Sequence, residues 1–208
     1  MTPTQLFHSD DTEGAMRFMA EHPFAVLAVN GEHGPVTAMV PLVVDDTGTA
    51  LLGHVAKANP FWKAAQDSEA KAVALFKGHD AYVTPSSYPS KQEHGRVVPT
   101  WNYMALQVRG NISIETDASA IGPMLKTLTN KMETGRDMPW KVSDAPDDYI
   151  EKLSRGIVGF TLDIDDITYV KKLSQNKDAG DRGGVVQMFE TSDDISENIL
   201  AKEMKQDN

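Results

Sequence analysis

The residues with the clearest potential for chemistry lie in the segment Gly53–Pro60, which reads Gly-His-Val-Ala-Lys-Ala-Asn-Pro. A predicted strand ends at Gly53, His54 and Lys57 follow in a short loop, and Asn59 before a proline is typical of a helix start. Unpaired N–H groups at a helix N-terminus attract anions, and the ammonium group of Lys57 adds a positive charge. The segment is either an anion site or a capped helix beside a solvated lysine, and capped helices are the commoner of the two.

A second group of polar and aromatic side chains lies between Ser86 and Tyr103. It contains Tyr, Lys, His, Arg, Trp and Asn residues, and much of it falls in a predicted polar loop over residues 85–99. A planar aromatic ligand uses hydrogen-bond donors and aromatic rings of this kind in a binding site. A surface loop of ordinary composition would look the same, so both interpretations remain open.

A third group, Lys171–Lys177, contains three lysines in seven residues. These side chains could close over a phosphate group. A charge run by itself favours the simpler interpretation of a solvated strand end.

The patterns of several well-known active sites are missing from the sequence. It has no cysteine, no His-x-x-x-His pair, no Gly-x-Ser-x-Gly turn and no Gly-x-x-x-x-Gly-Lys-Ser/Thr loop. This excludes disulfides, thiolate metal sites and cysteine nucleophiles, and it leaves a zinc site or a serine hydrolase without support. We therefore assign neither a catalytic residue nor a metal ligand.

Short strands must position these groups. Apolar runs and alternation predict strands over residues 24–29, 36–44, 49–53, 71–77, 81–84, 103–109, 111–115 and 158–164. Helices are predicted over 11–21 and 59–68, and over Ile121–Met132, where apolar residues share one face. The run Phe24–Val29 is apolar throughout, so we expect burial on both of its faces. The pattern predicts a mainly β (α+β) barrel with peripheral helices, and not a parallel doubly wound sheet, because no Gly-x-Gly-x-x-Gly follows a strand.

The charge of the chain argues against direct binding of nucleic acid. Its 208 residues carry a formal net charge of −10. Residues 178–208 have eight acidic and three basic side chains, which is half of that net charge. Proteins that hold DNA unaided normally show a basic patch, because neutralisation of phosphates dominates their affinity. We expect one domain over 1–186, followed by an acidic C-terminal tail over 187–208.

The sequence also bears on location. No apolar run approaches the roughly 18 residues that a membrane helix needs. The first ten residues contain no basic region followed by an apolar stretch, as a secretory signal would. We therefore expect a cytoplasmic protein with no membrane partner.

Several segments together resemble the PaiB family of FMN-binding transcriptional regulators. In the order of the family they are Gly53–Pro60, Ala81–Pro85, Tyr88–Lys91, Glu93–Tyr103, Pro139–Trp140, Asp144–Pro146, Arg155–Gly159 and Lys172–Asn176. The resemblance extends from about His22 to Val186, and Glu93–Tyr103 is its most specific part.

The resemblance implies a split β-barrel, akin to those of pyridoxamine-phosphate oxidase and the flavin reductases, that forms a homodimer and binds FMN. In such barrels the corner at His54 and Lys57 holds the flavin phosphate, the strand through Met39 lies along the isoalloxazine ring, and Trp101 lies near the ring or the ribityl chain. The cofactor residues that it implies are Thr37, Ala38, Met39, Val40, His54, Val55, Lys57, Asn59, Trp101, Asn102, Lys172 and Gln175.

The family name implies a negative transcriptional regulator or a flavin-dependent sensor. The alternative is an FMN-dependent oxidoreductase that passes hydride from a reduced nicotinamide to a small acceptor. The chain departs from the family pattern at four positions. Met39 and Asp80 stand where the family usually has histidine, and Ser87 and Lys171 stand where it usually has tryptophan.

Overall fold

The computed structural model describes residues 5–67 and 71–206. In chain order, its strands and helices are β1 (His8–Ser9), α1 (Thr12–Glu21), β2 (Phe24–Gly31), β3 (Gly34–Pro41), β4 (Val43–Val44), β5 (Ala50–Ala56), α2 (Phe61–Asp67), β6 (Lys71–Val83), α3 (Ser90–His94), β7 (Thr100–Glu115), α4 (Ala118–Glu133), α5 (Asp147–Ser154), β8 (Ile157–Asp163), β9 (Asp166–Lys172), α6 (Ala179–Glu190) and α7 (Ile195–Gln206).

The chain forms two compact units, each built from separate segments. The larger unit contains Thr12–Phe76 and Gln107–Ile167. The smaller unit contains Met1–Asp11, Lys77–Leu106 and Thr168–Asn208. Strands β6 and β7 each contribute residues to both units. Each is one long strand, whereas the sequence predicts two short strands in its place.

The sheet of the larger unit has the strand order β3-β2-β6-β7-β8-β5-β4. Strand β2 pairs antiparallel with β3 and β6, and β8 pairs antiparallel with β5 and β7. The two strands at the ends of this order, β3 and β4, are separated in the chain only by Leu42. The segment from β3 to β4 therefore runs from the strand next to β2 to the strand next to β5. Strands β3 and β4 do not pair with each other, so the sheet does not close.

Alternation along the strands directs apolar side chains into the core of the larger unit. Val158, Phe160 and Leu162 of β8 are buried at every second position, as expected for a half-buried strand. The ring of Phe160 lies 6.3 Å from that of Phe61, the first residue of α2. This contact fixes the N-terminus of α2 against the sheet.

Strand β2 is buried on one face only. Ala25, Leu27 and Val29 are buried, whereas Val26 is half-buried and Phe24 is 60% exposed. The prediction of burial on both faces is therefore wrong for the chain by itself. The outer face of β2 is open because no other described residues cover Phe24 and its neighbours on that face.

The smaller unit is held together by its own strands and helices. Strand β1 pairs antiparallel with β9, and β9 also pairs with β7. Helices α6 and α7 pack on each other and bury four large apolar side chains, Val185, Phe189, Leu200 and Met204. Asp181 of α6 is also buried and accepts hydrogen bonds from the backbone N–H and the hydroxyl of Ser90, at 3.1 and 2.8 Å. This carboxylate anchors the segment around α3.

The predicted fold class, an antiparallel sheet with peripheral helices, is confirmed. The predicted loop over 85–99 contains a short 3₁₀ helix, Pro85–Ser87, and α3. The predicted boundary at Val186 falls inside α6, and the predicted tail contains the end of that helix and α7. Within the described ranges, none of the helices has the length and apolar character needed to span a membrane.

Candidate functional site

The loop between β5 and α2 is held at both sides of Lys57. The backbone N–H of Lys57 donates to the carbonyl of Gly156 at 2.8 Å, and the indole N–H of Trp62 donates to the carbonyl of Lys57 at 3.0 Å. These two bonds fix the backbone while the side chain of Lys57 remains exposed. The ammonium group has no ion-pair partner in the described ranges.

Asn59 caps α2 as the sequence predicts. Its side-chain oxygen Oδ1 accepts the backbone N–H of Phe61 at 2.9 Å. Its amide nitrogen Nδ2 has no hydrogen-bond acceptor among residues 5–67 and 71–206, so the cap leaves a donor available. The capped helix and the anion site are therefore compatible interpretations. Because α2 has only seven residues, the side chains of Lys57 and Asn59 contribute more to such a site than the helix dipole does.

His54 is half-buried on β5, in register with Gly159 of β8. Its ring nitrogen Nδ1 is buried, and no other described residue bonds to it. Burial lowers the pKa of His54, so the imidazole is neutral at neutral pH. A neutral imidazole with an unpaired nitrogen can donate to, or accept from, a ligand. The neighbouring Val55 lies with its side chain in the core.

Strand β3 contacts both β5 and α2 and divides the four residues predicted on it between two faces. Ala38 and Val40 are buried, whereas Thr37 is exposed and Met39 is 63% exposed. The exposed face of β3 is therefore uncharged, and only Thr37 and Met39 of the predicted set present side chains on it.

The exposed face continues across the neighbouring strands. Register pairs Met39 of β3 with Val26 of β2, and Val26 with Leu75 of β6. Phe24 at the start of β2 and Leu75 are both exposed. Sequence reasoning did not assign these positions to a surface. These outward positions form a largely apolar face, which we call the β2-β3-β6 face and define by Phe24, Val26, Thr37, Met39 and Leu75. The exposed Lys71 lies on the same side of β6, four residues before Leu75.

The remaining four predicted residues belong to the smaller unit, where Trp101 and Lys172 are directly linked. The ammonium group of Lys172 donates to the hydroxyl of Thr100 and to the carbonyl of Trp101, both at 2.5 Å. Burial and the positive charge of Lys177 hold the pKa of Lys172 below its usual value. The indole of Trp101 is 51% exposed and lies edge-on to the ring of Tyr82.

Asn102 and Gln175 are engaged inside the smaller unit. Asn102 is fully buried, accepts the hydroxyl of Ser174 at 3.0 Å and donates to the sulfur of Met204 at 3.5 Å. Gln175 accepts the N–H of Leu173 at 2.8 Å and donates to the carbonyl of Lys171 at 2.6 Å. Both side chains therefore stabilise the surroundings of Trp101 and Lys172.

Two of the departures from the family pattern carry ion pairs of the smaller unit. Asp80 lies 2.5 Å from the ammonium group of Lys77, and Lys171 lies 3.0 Å from Glu203 on α7. The hydroxyl of Ser87 donates to the carbonyl of Thr84 at 2.8 Å. These positions have polar partners of their own, where the family pattern usually has a histidine and two tryptophans.

Comparison with known proteins identifies relatives of this chain. Residues 1–166 match the protein family described as "Putative FMN-binding domain". An uncharacterised protein of Aspergillus fumigatus is 34% identical over 221 residues, covering 84% of this chain and 85% of that protein. The Bacillus subtilis "Protease synthase and sporulation protein PAI 2" is 28% identical over 200 residues, covering 95% of this chain and 91% of that protein.

Solved structures with a similar fold are also known. An FAD- and heme-binding protein from Mycobacterium smegmatis has a TM-score of 0.61 at 16% identity, covering 84% of this chain and 78% of that one. A flavocytochrome from Azotobacter vinelandii has a TM-score of 0.60 at 13% identity, covering 82% and 72% of the two chains. At these identities the likeness shows a shared fold.

Proposed function

This chain belongs to the FMN-binding domain family that residues 1–166 match, FMN is its cofactor, and from this premise we propose that it is a homodimeric, flavin-dependent sensor of the PaiB type. The observation that carries the proposal is the pair of donors at Lys57 and Asn59, in the loop between β5 and α2, two elements that both contact β3. We place the protein in the cytoplasm.

The residues of the larger unit fit FMN. The ammonium group of Lys57 and the Nδ2 donor of Asn59 are available for the phosphate, and charge-assisted hydrogen bonds to phosphate are the strong kind. The exposed face of β3 at Thr37 and Met39 offers an apolar, uncharged surface for the ring. The buried, unpaired Nδ1 of His54 is a further polar atom that a ligand would satisfy. No described carboxylate forms an ion pair with Lys57 that the phosphate would have to displace.

The β2-β3-β6 face supports the homodimer. Beside Thr37 and Met39, which we assign to the flavin ring, it exposes Phe24 and Leu75, and exposed apolar surface of this kind marks an interaction site. A second copy of the chain is the occupant that we propose, because the residues that define this face are uncharged and a two-fold contact needs a self-complementary surface. Sedimentation equilibrium tests this part of the proposal, and we expect a particle of twice the chain mass.

The phosphate site predicts a selective effect of Lys57→Ala. Loss of one charge-assisted hydrogen bond, worth roughly 1.5–3 kcal/mol, should weaken FMN binding about tenfold or more. Riboflavin lacks the phosphate, so its affinity should change little. Titrations of both flavins against the purified protein measure the two dissociation constants.

Lys63→Ala is the matched control, because Lys63 is an exposed lysine of the same helix region whose ammonium group lies over the ring of Trp62, 5.5 Å from its centroid. It removes the same charge and should leave both affinities within about twofold of the wild type. Equal losses of FMN and riboflavin in Lys57→Ala would place the phosphate elsewhere.

We propose that the sensor acts without binding DNA directly. The net charge is −10, and two lysines in the densest basic stretch have partners: Lys171 pairs with Glu203, and Lys172 donates to Thr100 and Trp101. Direct operator binding would need several such cations to be free for phosphates. We therefore propose that any regulatory output of the kind suggested by the PAI 2 name passes through another protein.

An FMN-dependent oxidoreductase is the second candidate function. Bound FMN would supply hydride exchange with a reduced nicotinamide. The observation in its favour is the exposure of Thr37 and Met39 on β3, because a flavin bound on an open surface leaves room for a nicotinamide donor. Among the described cofactor residues predicted in the larger unit, His54 is the side chain with a shifted pKa, and burial keeps its imidazole neutral.

DNA binding and turnover separate these functions. We expect no sequence-specific shift of duplex DNA at physiological salt, with or without FMN, because a complex that neutralised even six phosphates would weaken about a thousandfold between 50 and 200 mM salt. We also expect slow, FMN-dependent oxidation of a reduced nicotinamide, below about 1 s⁻¹, the lower end of ordinary enzyme turnover. Gel shifts at two salt concentrations test DNA binding, and loss of the near-ultraviolet absorbance of the reduced nicotinamide tests turnover.

A tight, salt-sensitive and sequence-selective DNA complex would overturn the indirect mode of action. Turnover well above about 1 s⁻¹ with a small acceptor would favour the oxidoreductase over the sensor. Slow oxidation without a DNA complex would support the proposal as stated.

A further inference from the structure

A groove between α4 and α5 belongs neither to the proposed flavin site nor to the β2-β3-β6 face. Its volume is about 1070 Å³, and the described residues that line it lie between Ala118 and Ser154, all within the larger unit. Helix α4, helix α5 and residues 141–143 form its walls. A concave site of this size can hold a small organic molecule.

The wall formed by α4 is fixed by the opposite side of the helix. Ile121 is buried, and Met124 lies against β8, where a Cβ atom on Gly159 would be 3.0 Å from its sulfur. Gly122 and Lys126 lie on a different face of α4 and line the groove. A wall that is held in place before a ligand arrives loses little conformational entropy on binding.

Two residues of this wall expose the backbone of α4 to the groove. A Cβ atom on Gly122 would meet no described atom within 4 Å, and the backbone there has no positive φ. Neither close packing nor backbone conformation therefore requires glycine at this position, although glycine is less favourable than alanine inside a helix. The next residue, Pro123, has no N–H to donate to the carbonyl of Ser119. A flat apolar group can approach the helix closely at these two residues.

The charges of the groove favour an anion. Lys126 and Lys141 line it, and neither has an ion-pair partner in the described part of the chain. The two carboxylates of the lining are already stabilised. Glu151 accepts a hydrogen bond from the guanidinium group of Arg155 at 2.5 Å, and Asp147 lies in the first turn of α5, where the helix dipole favours negative charge. The lysines are therefore the charges that remain available to a ligand.

We propose that the groove between α4 and α5 is a second ligand site, which binds a small amphipathic anion separately from the flavin. The flat apolar body of this ligand lies against Gly122, Pro123 and Ile150, and its anionic group bonds to the ammonium groups of Lys126 and Lys141. This inference goes beyond the proposed function, because it gives the protein a site for a signal molecule other than its flavin.

The test is a calorimetric titration of the full chain, saturated with FMN, with naphthalene-2-carboxylate as the probe. We expect one molecule to bind per chain with a dissociation constant below about 1 mM, while FMN stays bound. Naphthalene-2-methanol has the same ring system without the charge and should bind about tenfold more weakly or less. Lys126→Ala should weaken binding of the carboxylate about three- to tenfold. Lys152→Ala, at an exposed lysine of α5 that does not line the groove, should stay within about twofold of the wild type.

A second pair of variants tests the position of the site. Gly122→Leu places a side chain in the open space of the groove and should abolish binding of both probes. Gly122→Ala adds a single methyl group and should weaken binding less. Both variants should keep the FMN affinity of the wild type, and their thermal midpoints check that each chain is folded. If Gly122→Leu does not fold, the comparison of Lys126→Ala with Lys152→Ala decides the question.

Absence of saturable binding up to about 10 mM probe would overturn the inference. Equal affinities for the two probes, or an unchanged affinity in a folded Gly122→Leu chain, would also overturn it. Displacement of FMN by the probe would do the same, because the probe would then occupy the flavin site. Failure of the chain to bind FMN would overturn the proposed function alone, since the same titrations of the flavin-free chain still test the groove.

Discussion

Replacement of Gly184 by alanine is expected to destabilise the protein by about 3 kcal/mol or more, while alanine at the adjacent Gly183 is expected to stabilise it. A Cβ atom on Gly184 would lie 1.9 Å from the carbonyl oxygen of Ser87 and 3.1 Å from Pro89. The nearest contact is backbone, so the segment would have to move, and overpacking of this kind costs several kcal/mol. Asp181, one turn earlier on α6, holds the same segment through Ser90.

Gly183 is the matched control for this substitution. A Cβ atom there meets no described atom within 4 Å. Alanine is favoured over glycine in a helix by about 1 kcal/mol, so Gly183→Ala should raise the free energy of unfolding by up to that amount. Urea unfolding measures both variants, and the slope of the unfolding free energy against urea concentration should stay unchanged. Similar free energies for the two would contradict the close approach of α6 to the segment around Ser87.

Leu200→Ala is expected to lower the free energy of unfolding by about 2–5 kcal/mol, the usual cost of removing a large buried aliphatic side chain. Leu200 is fully buried on α7, and so is the adjacent Ala201. The guanidinium group of Arg182 donates to the carbonyl of Met204 at 2.6 Å, which ties the same helix to α6. Loss of packing at Leu200 should therefore destabilise both α6 and α7.

Lys202→Ala tests the same helix on its exposed side, where substitutions usually change stability by less than about 0.5 kcal/mol. Thermal and urea unfolding of the two variants should differ clearly. A loss below about 1 kcal/mol for Leu200→Ala would mean that α7 does not pack as a structural helix in solution. In that case the segment would behave as the acidic tail that charge alone predicts.

Local sequence patterns predicted the elements that hold the candidate phosphate site. Asn59 before a proline marked the start of α2, and alternation at Val158, Phe160 and Leu162 marked β8. These signals depend on residues close together in the chain. They could not show that the backbone of Lys57 is held by Gly156, since that contact joins segments about a hundred residues apart.

The C-terminal segment shows what a count of charges leaves open. Residues 178–208 carry eight acidic side chains, and from them the sequence predicts an acidic tail over 187–208. Leu200, Ala201 and Met204 nevertheless have the spacing of one helix face, and this was the signal for a packed helix.

The sequence by itself determined the family, the antiparallel strands with their peripheral helices, and the residue types available at each site. Only the tertiary structure decided which predicted cofactor residues present their side chains to a ligand: Met39, Lys57 and Trp101 are exposed, and Asn102 is fully buried. Burial and hydrogen bonding depend on neighbours that are remote in sequence. The partners of Asn102 lie 72 and 102 residues away in the chain, and no local pattern could have specified them.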